Sequence, residues 1–254
     1  MTYPRYITPG FTPFDPVELA KETEKIVIKN SRRKYTSIHC AGVYGGISTA
    51  YTVGCCLRCI YCWVSMSRDF PEKYGKFYSP EEVVSNLEKA ARGYGTHKAR
   101  ISGGEPTLGK EHLLNVLELI ERNDWFNLFI LETNGILLGV DKEYVEKLSN
   151  FSKIHVRVSL KAGNEEGFQR RTGAIGKFFN LQFIAISNLL NSGVSFHVAA
   201  MTDSKIMLEE ERGNLIKKLE EIDKRLVENF EEENIDPYKT SLIRLEKAGI
   251  KLKW

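Results

Sequence analysis

The sequence lacks any run of about 18 apolar residues, the length that a membrane-spanning helix requires. This absence excludes a helical membrane span, and we expect no membrane partner. Residues 1–5 also lack the charged and apolar regions of a secretion signal. We therefore expect the protein to stay in the cytoplasm, where thiols are kept reduced and disulfides are rare.

A strong net charge is also missing. The 254 residues carry 36 basic and 33 acidic side chains, for a formal charge of +3. This balance neither requires nor excludes a nucleic-acid partner, because binding depends on clustering rather than on the sum. Lys217, Lys218 and Lys224 are interspersed with Glu220 and Glu221, a pattern that favours a solvated helix face.

Internal repeats and long Gly/Ser linkers are absent, and the chain reads as one α/β unit with an appendage. Residues 1–40 are interpreted as an N-terminal extension containing a helix near residues 16–29, and residues 41–254 as the main domain. Strands are predicted at 47–53, 99–102, 128–133, 154–160 and 194–201. Helices are predicted from Ser79 onward and at 111–121, 142–148, 181–191 and 206–230. Regular alternation of strands and helices predicts parallel βα units and a wound or barrel-like sheet.

Cysteine is scarce, with five residues, and none follows Cys62. The odd number, with three closely spaced, favours metal binding over a disulfide framework. Cys55, Cys59 and Cys62 form a C-x3-C-x2-C run directly after the first predicted strand of the main domain. Thiolates suit zinc or an iron–sulfur cluster. A structural zinc site needs four ligands, and adjacent Cys55 and Cys56 can rarely both reach one ion. The run therefore favours a cluster with one iron left open, with zinc as the alternative.

Residues 55–62, Cys-Cys-Leu-Arg-Cys-Ile-Tyr-Cys, closely resemble the C-x3-C-x-aromatic-C signature of the radical S-adenosylmethionine (SAM) superfamily. The resemblance implies that Cys55, Cys59 and Cys62 bind three irons of a [4Fe–4S] cluster. SAM would chelate the fourth iron through its amino and carboxylate groups. Tyr61 takes the aromatic position, which packs near the adenine in that family. Cys56 and Cys40 are then small buried bystanders.

A second motif, Ser102-Gly103-Gly104-Glu105-Pro106, follows the next predicted strand. Two glycines allow a backbone to approach a ligand closely, and the carboxylate can accept a hydrogen bond from an ammonium group. An ordinary glycine-rich turn is the alternative interpretation. The segment resembles the Gly-Gly-Glu motif of the same superfamily, which holds the methionine amino group. This resemblance makes Gly103, Gly104 and Glu105 candidate SAM-binding residues and implies a partial (β/α)6 TIM-type barrel of parallel strands.

Two later strand ends resemble the D-T-N-G and D-x-K segments of small glycyl-radical-enzyme activases. The matching positions here are Glu132, Thr133, Ser159 and Lys161, which the resemblance places near the methionine end of SAM. Glu132 and Ser159 replace the two aspartates of that pattern, so the pattern does not predict the monovalent-cation site of some activases here. For Thr133 and the following Asn134, simple turn chemistry is an equal alternative.

Three further side chains have open interpretations. Arg170 or Arg171 could meet an anionic substrate, although solvated surface arginines are commoner. His197 lies in the middle of a predicted strand and faces either the barrel or the outside. A core or surface histidine is the more common case.

The resemblance implies an enzyme that cleaves SAM reductively to a 5′-deoxyadenosyl radical, with an electron donor such as ferredoxin or flavodoxin. The absence of a second cysteine group argues against the auxiliary-cluster maturases of peptides, and we expect no cobalamin domain before residue 40. The leading hypothesis is activation of a partner protein of the glycyl-radical type. The alternatives are modification of a small molecule or of tRNA, the latter from a slight likeness of residues 62–78 to wybutosine-pathway enzymes. A non-catalytic zinc-binding interaction module is a third interpretation.

Overall fold

The computed structural model describes residues 3–252, and over this range it contains nine strands and ten α-helices. The strands are β1 (Ile28–Lys29), β2 (Arg32–Ala41), β3 (Ile47–Thr52), β4 (Lys76–Tyr78), β5 (Lys98–Gly103), β6 (Leu128–Thr133), β7 (Ile154–Leu160), β8 (Phe196–Met201) and β9 (Glu231–Glu233). The helices are α1 (Pro16–Val27), α2 (Pro80–Tyr94), α3 (Lys110–Arg122), α4 (Ile136–Val140), α5 (Lys142–Leu148), α6 (Glu165–Thr172), α7 (Asn180–Asn191), α8 (Glu209–Ile222), α9 (Arg225–Glu228) and α10 (Lys239–Lys247). No described helix has both the length and the apolar character to cross a bilayer.

Along the path from β1 to β9, the strands of the sheet lie in the order β1-β2-β3-β5-β6-β7-β8-β9. From β3 to β9, each neighbouring pair is parallel, which gives six parallel strands among the described residues. β2 is antiparallel to β3 and also pairs with β1 and β4. The predicted partial (β/α)6 barrel of parallel strands is confirmed, with an antiparallel extension at one edge.

β7 shows why the sequence forms a sheet with one polar face. Val156, Val158 and Leu160 alternate with Arg157 and Ser159, and all five are buried. Successive side chains of a strand point to opposite faces. The apolar set packs in the core between sheet and helices, whereas Arg157 and Ser159 line a cavity on the inner face of the barrel.

The start of α2 confirms the helix predicted from Ser79 onward. Glu82 N–H donates to the Ser79 hydroxyl, while the Glu82 carboxylate accepts from the Ser79 N–H at 2.8 Å. Pro80 occupies the first turn, where its missing N–H has no cost. This capping box fixes the helix that packs behind β2 and β3.

The predicted helix over 206–230 is confirmed over Glu209–Ile222, but its continuation to residue 230 is wrong, because α8 ends at Ile222. Asp223 adopts an extended backbone and its side chain accepts from the N–H of Arg225, which starts a new turn. Leu226 and Phe230 therefore do not continue the stripe of α8. Helix α10 follows α9 and β9, and residues 1–2 and 253–254 lie outside the described part.

The N-terminal region joins the sheet rather than standing apart from it. α1 matches the helix predicted near residues 16–29, and β2 crosses the predicted boundary at residue 40. β2 pairs with β3 from Tyr35 to Ala41. The division into an extension and a main domain stays a prediction.

Candidate active site

One cavity lies where the parallel strands end and their loops begin, the face on which barrel enzymes carry their chemistry. It encloses about 930 Å³, counting its solvent-open mouth. All eleven residues that the sequence selects line it: Cys55, Cys59, Tyr61, Cys62, Gly103, Gly104, Glu105, Glu132, Thr133, Ser159 and Lys161. The structure thus brings the selected residues together, while their binding roles stay predictions.

The cysteine loop presents three unpaired thiols to this cavity. Cys55 and Cys59 are buried and Cys62 is half-buried. Burial raises the pKa of Cys59 to about 12, so this thiol is neutral until a metal displaces its proton. Within the described chain, no three metal-ligating side chains converge on a point that could hold a single ion. A four-iron cluster makes no such demand, because each thiolate binds a different iron.

Cys56 and Asn134 support this loop from the side. A hydrogen bond from Cys56 lowers the pKa of Cys55 and raises that of Cys56 itself. The Asn134 amide lies 3.3 Å from the Cys56 sulfur and 3.7 Å from the Cys55 sulfur. From the sequence, Asn134 had two equal interpretations: a turn residue or part of the functional site. Its position one residue past the end of β6 was the signal available, since strand ends converge on the site.

The cysteine loop and the Gly-Gly-Glu loop touch through their backbones. Glu105 N–H donates to the Gly54 carbonyl at 2.8 Å. A Cβ atom on Gly104 would lie 1.9 Å from the same Gly54 oxygen. Gly103 has a φ of +96°, which other residues rarely adopt, and a Cβ there would lie 2.8 Å from Thr52 N. Contact between the two loops therefore requires both glycines.

The Glu105 carboxylate is buried and accepts four hydrogen bonds. Oε1 accepts from the Thr107 N–H at 3.0 Å, the Thr107 hydroxyl at 2.6 Å and the Thr133 hydroxyl at 2.7 Å. Oε2 accepts from the Asn134 N–H at 2.9 Å. Glu105 thus joins the loops after β5 and β6, and Oε2 is the oxygen with capacity left for a ligand ammonium group.

Glu132 is held by polar neighbours on the inner face of the sheet. Its Oε1 accepts from Arg100 and from the Tyr44 hydroxyl, both at 2.9 Å, and its Oε2 accepts from the Ser102 hydroxyl at 2.5 Å. Tyr44 has a φ of +53°, which is uncommon for a tyrosine. The carboxylate of Glu132 is therefore part of an ordered network at the cavity wall.

A chain of polar contacts crosses the opposite wall. Lys161 Nζ donates to the Ser159 hydroxyl at 2.5 Å, and that hydroxyl donates to Glu233 at 2.9 Å. Arg157 donates to Glu233 at 2.8 Å and forms two 2.9 Å bonds to Glu231. Burial would raise the pKa of Glu233, but the charges of Lys161 and Arg157 outweigh it and lower that pKa. Arg157 was missed from the sequence, although strand alternation places it beside Ser159.

Tyr61 leaves a buried polar atom unsatisfied beside the cavity. Its hydroxyl has no hydrogen-bond partner among the described residues, and burial raises its pKa well above the ordinary value. A buried hydroxyl without a partner costs about 1–3 kcal/mol. A polar ligand atom in the cavity would offset that cost.

The remaining candidates from the sequence lie elsewhere. Arg171 is buried and pairs with Glu211, so neither interpretation, substrate contact or solvated surface, holds for it; Arg170 is exposed. His197 faces the inside of the barrel, where it contacts His155 at 2.7 Å and Glu231 at 3.2 Å.

Comparison with known proteins agrees with the family resemblance of the sequence motifs. The family model described as the Radical SAM superfamily matches residues 49–227. A "Probable GTP 3′,8-cyclase" of Methanococcus maripaludis (strain C5) is 34% identical over 121 residues, which are 48% of this chain and 38% of that protein. This chain thus covers well under half of the length of that relative.

Solved structures share the fold at low identity. SuiB of Streptococcus suis bound to the precursor peptide SuiA has a TM-score of 0.58 and 19% identity, covering 82% of this chain and 42% of that one. Native anSMEcpe with bound AdoMet has a TM-score of 0.55 and 22% identity, covering 74% of this chain and 53% of that one. These similarities establish the barrel architecture.

Proposed function

This chain belongs to the radical SAM superfamily and is an enzyme with a [4Fe–4S] cluster and SAM as cofactors; we propose that the two meet in the cavity at the strand ends. The observation that carries the proposal is the direct backbone contact between the cysteine loop and the Gly-Gly-Glu loop. SAM would have to reach both the cluster on the cysteine loop and the Gly-Gly-Glu loop, so these two segments need to lie side by side.

The residues present fit both groups. Cys55, Cys59 and Cys62 supply soft thiolate ligands from one loop, and iron binding would displace the thiol protons. The Tyr61 hydroxyl offers an unused hydrogen bond to a ligand in the same cavity. Glu105 lines the cavity, and its Oε2, which accepts one hydrogen bond, would have capacity to accept another from an amino group.

A cluster held by Cys55, Cys59 and Cys62 would supply the electron for reductive cleavage of SAM held beside it. The chain positions the reactants and excludes water. Glu105, fixed by four donors, cannot rotate away from its ligand. Lys161 and Arg157 contribute positive charge on the opposite wall, where a carboxylate of the cofactor or substrate would be stabilised.

The first test is formation of 5′-deoxyadenosine by anaerobically reconstituted, chemically reduced enzyme. We expect it in the wild type and expect its loss in Cys62→Ser. Cys40→Ser is the matched control, because Cys40 lies outside the cavity, with its thiol donating to the Ala90 carbonyl. Absence of deoxyadenosine from a wild-type preparation with full iron loading would contradict the proposal.

The substrate that fits the cavity best is a small polar molecule. Its walls carry basic and acidic side chains, Arg157 and Lys161 against Glu132, Glu233 and Asp236. Arg157 and Glu132 already form ion pairs with other side chains. Lys161 and Asp236 form none among residues 3–252, so a polar ligand with complementary charges would pair with them. The curated relatives are named for a cyclase of GTP, which is such a molecule. Stimulation of deoxyadenosine formation by a low-molecular-mass cell filtrate, but not by the retained macromolecules, tests this assignment.

Activation of a glycyl-radical-type partner protein is the second candidate. Large aromatic side chains are exposed next to the cavity: Trp63, which follows Cys62, and Tyr238, two residues beyond Asp236. Such side chains are enriched where proteins meet. After incubation with a candidate partner, a persistent protein radical in electron paramagnetic resonance (EPR) would support this candidate. The same spectrum without any protein radical would favour the small molecule.

The other interpretations have simple tests. A radical SAM enzyme needs a reductant, and we propose ferredoxin or flavodoxin, distinguished by which one supports turnover. A salt-sensitive tRNA affinity would favour the tRNA hypothesis. Arg68, within the 62–78 segment that suggested it, is buried and cannot make a surface contact. Zinc without iron or sulfide in anaerobic protein would support the non-catalytic module instead.

A further inference from the structure

Three buried arginines bind the backbone of the cysteine loop, and each takes the carbonyl of a different cavity cysteine. Arg58 donates to Cys55 O at 2.8 Å, and Arg68 donates to Cys59 O at 2.6 Å. Arg244, on α10, donates to Cys62 O. Each arginine exposes 2% or less of its surface. Each of the three predicted iron ligands therefore has a guanidinium bound to its backbone carbonyl.

Arg244 makes the largest set of these contacts from the far end of the chain. It also donates to Val64 O at 2.6 Å and Ser65 O at 3.0 Å. Thr240, one turn earlier on α10, donates to Trp63 O at 2.8 Å. Helix α10 thus fixes the backbone that follows Cys62, although about 180 residues separate the two in sequence.

The charges of this group do not cancel. Asp69, fully buried, pairs with both Arg244 at 2.5 Å and Arg68. Arg58 has no carboxylate within ion-pair distance among residues 3–252, and its cationic group lies 5.0 Å from the Tyr3 ring. Three guanidiniums against one carboxylate leave two uncompensated positive charges behind the loop.

Uncompensated buried charge destabilises a protein unless something opposite is brought near it. Three thiolates together with an iron–sulfur cluster form an anionic group, and reduction adds one more negative charge. Positive charge and hydrogen bonding near such a cluster favour its reduced form. The arginines also hold the three carbonyls and so restrict how the ligand loop can move.

We propose that Arg58, Arg68 and Arg244 are positioning residues that fix the cysteine loop for iron binding and raise the reduction potential of the cluster it holds. The inference rests on the proposed function, because it assumes the cluster in this loop. It also makes α10 part of the redox site. Arg244 contributes both effects: hydrogen bonds to three carbonyls and a positive charge behind Cys62.

The experiment is an EPR-monitored redox titration of the reconstituted protein with Arg244→Met, Arg244→Lys and Arg58→Gln. We expect a more negative midpoint potential for Arg244→Met and Arg58→Gln and a smaller shift for Arg244→Lys, which keeps the charge. Arg122→Met is the matched control and should leave the potential unchanged, because Arg122 is exposed on α3 and pairs with Glu118. Iron per chain and urea unfolding of the metal-free protein are measured for each variant.

Fully loaded Arg244→Met and Arg58→Gln proteins with the wild-type potential would overturn the proposal. Loss of iron from Arg244→Met without a change in metal-free stability would support the positioning role. If Arg244→Met does not fold, the midpoint potential of Arg58→Gln tests the proposal: a more negative value supports it and the wild-type value overturns it. Wild-type protein that binds no iron would instead refute the proposed function, so the two failures can be told apart.

Discussion

Replacing Gly104 with alanine would push the two cofactor loops apart. The new Cβ would lie 1.9 Å from the Gly54 oxygen, whereas real Cβ atoms essentially never come within 3.0 Å. The loops would have to separate by about 1.1 Å, the difference between these distances. This movement would break the 2.8 Å bond from Glu105 N–H to Gly54 O. One lost hydrogen bond and forced overpacking together cost about 2–4 kcal/mol.

The same displacement should also slow the chemistry. A misplacement of about 1 Å can reduce a reaction rate about 100-fold, so deoxyadenosine formation should fall by about that factor while the variant still folds. Urea unfolding gives the stability and anaerobic assays give the rate. Gly93→Ala is the control, because a Cβ there meets nothing within 4 Å on helix α2 and should be neutral or slightly stabilising. Gly104→Ala with wild-type rate and stability would refute the loop-contact argument.

The remaining predictions concern buried polar side chains. Burial lowers the pKa of His112 to about 4 from its ordinary 6.5. As the pH falls, the unfolded chain therefore binds a proton at His112 before the folded chain does. The free energy of unfolding should fall by about 3 kcal/mol between pH 6.5 and pH 4. In urea titrations His112→Gln should lose most of this pH dependence, and an unchanged slope would contradict the assignment. Arg171→Met strands the Glu211 carboxylate and should cost about 3–5 kcal/mol in urea unfolding; a cost below about 1 kcal/mol would argue against a tight pair. Thr133→Val removes one donor to Glu105 and should cost about 1–2 kcal/mol in thermal unfolding, a loss that Thr133→Ser should largely restore.

Local signals in the sequence were sufficient for the parallel core. Strand β6 matches its predicted bounds, and the capping box at Ser79 predicts the start of α2. These elements obey rules that operate within a few residues: side-chain alternation and N-terminal capping. Long-range context was not needed to find them.

β9 shows where such rules end. Three consecutive glutamates, Glu231–Glu233, predict no strand, because their repulsion and low strand propensity oppose one. In the structure Arg157 binds Glu231 and Glu233 on the inner face, and Arg212 binds Glu232 on the other. The strand exists because two arginines distant in sequence neutralise it, and no local pattern contains that information.

The candidate site divides in the same way. The eleven residues chosen from motifs all line the cavity, since motifs mark strand ends and strand ends converge. The side chains that support them were missed, notably Arg157, Glu233 and Arg244. Each acts on a residue far away in sequence: Arg244 lies about 180 residues from the loop it binds. Pairing of this kind becomes visible only when the fold is known.

The central claim is that SAM binds directly against a cluster held by Cys55, Cys59 and Cys62, across the contact with the Gly-Gly-Glu loop. The most direct test is the EPR spectrum of the reduced, reconstituted protein before and after addition of SAM. The account predicts a [4Fe–4S]⁺ signal that changes in g-values when SAM is added, and no such signal in Cys59→Ser. A cluster signal that SAM leaves unaltered, or one that persists undiminished in Cys59→Ser, would contradict it.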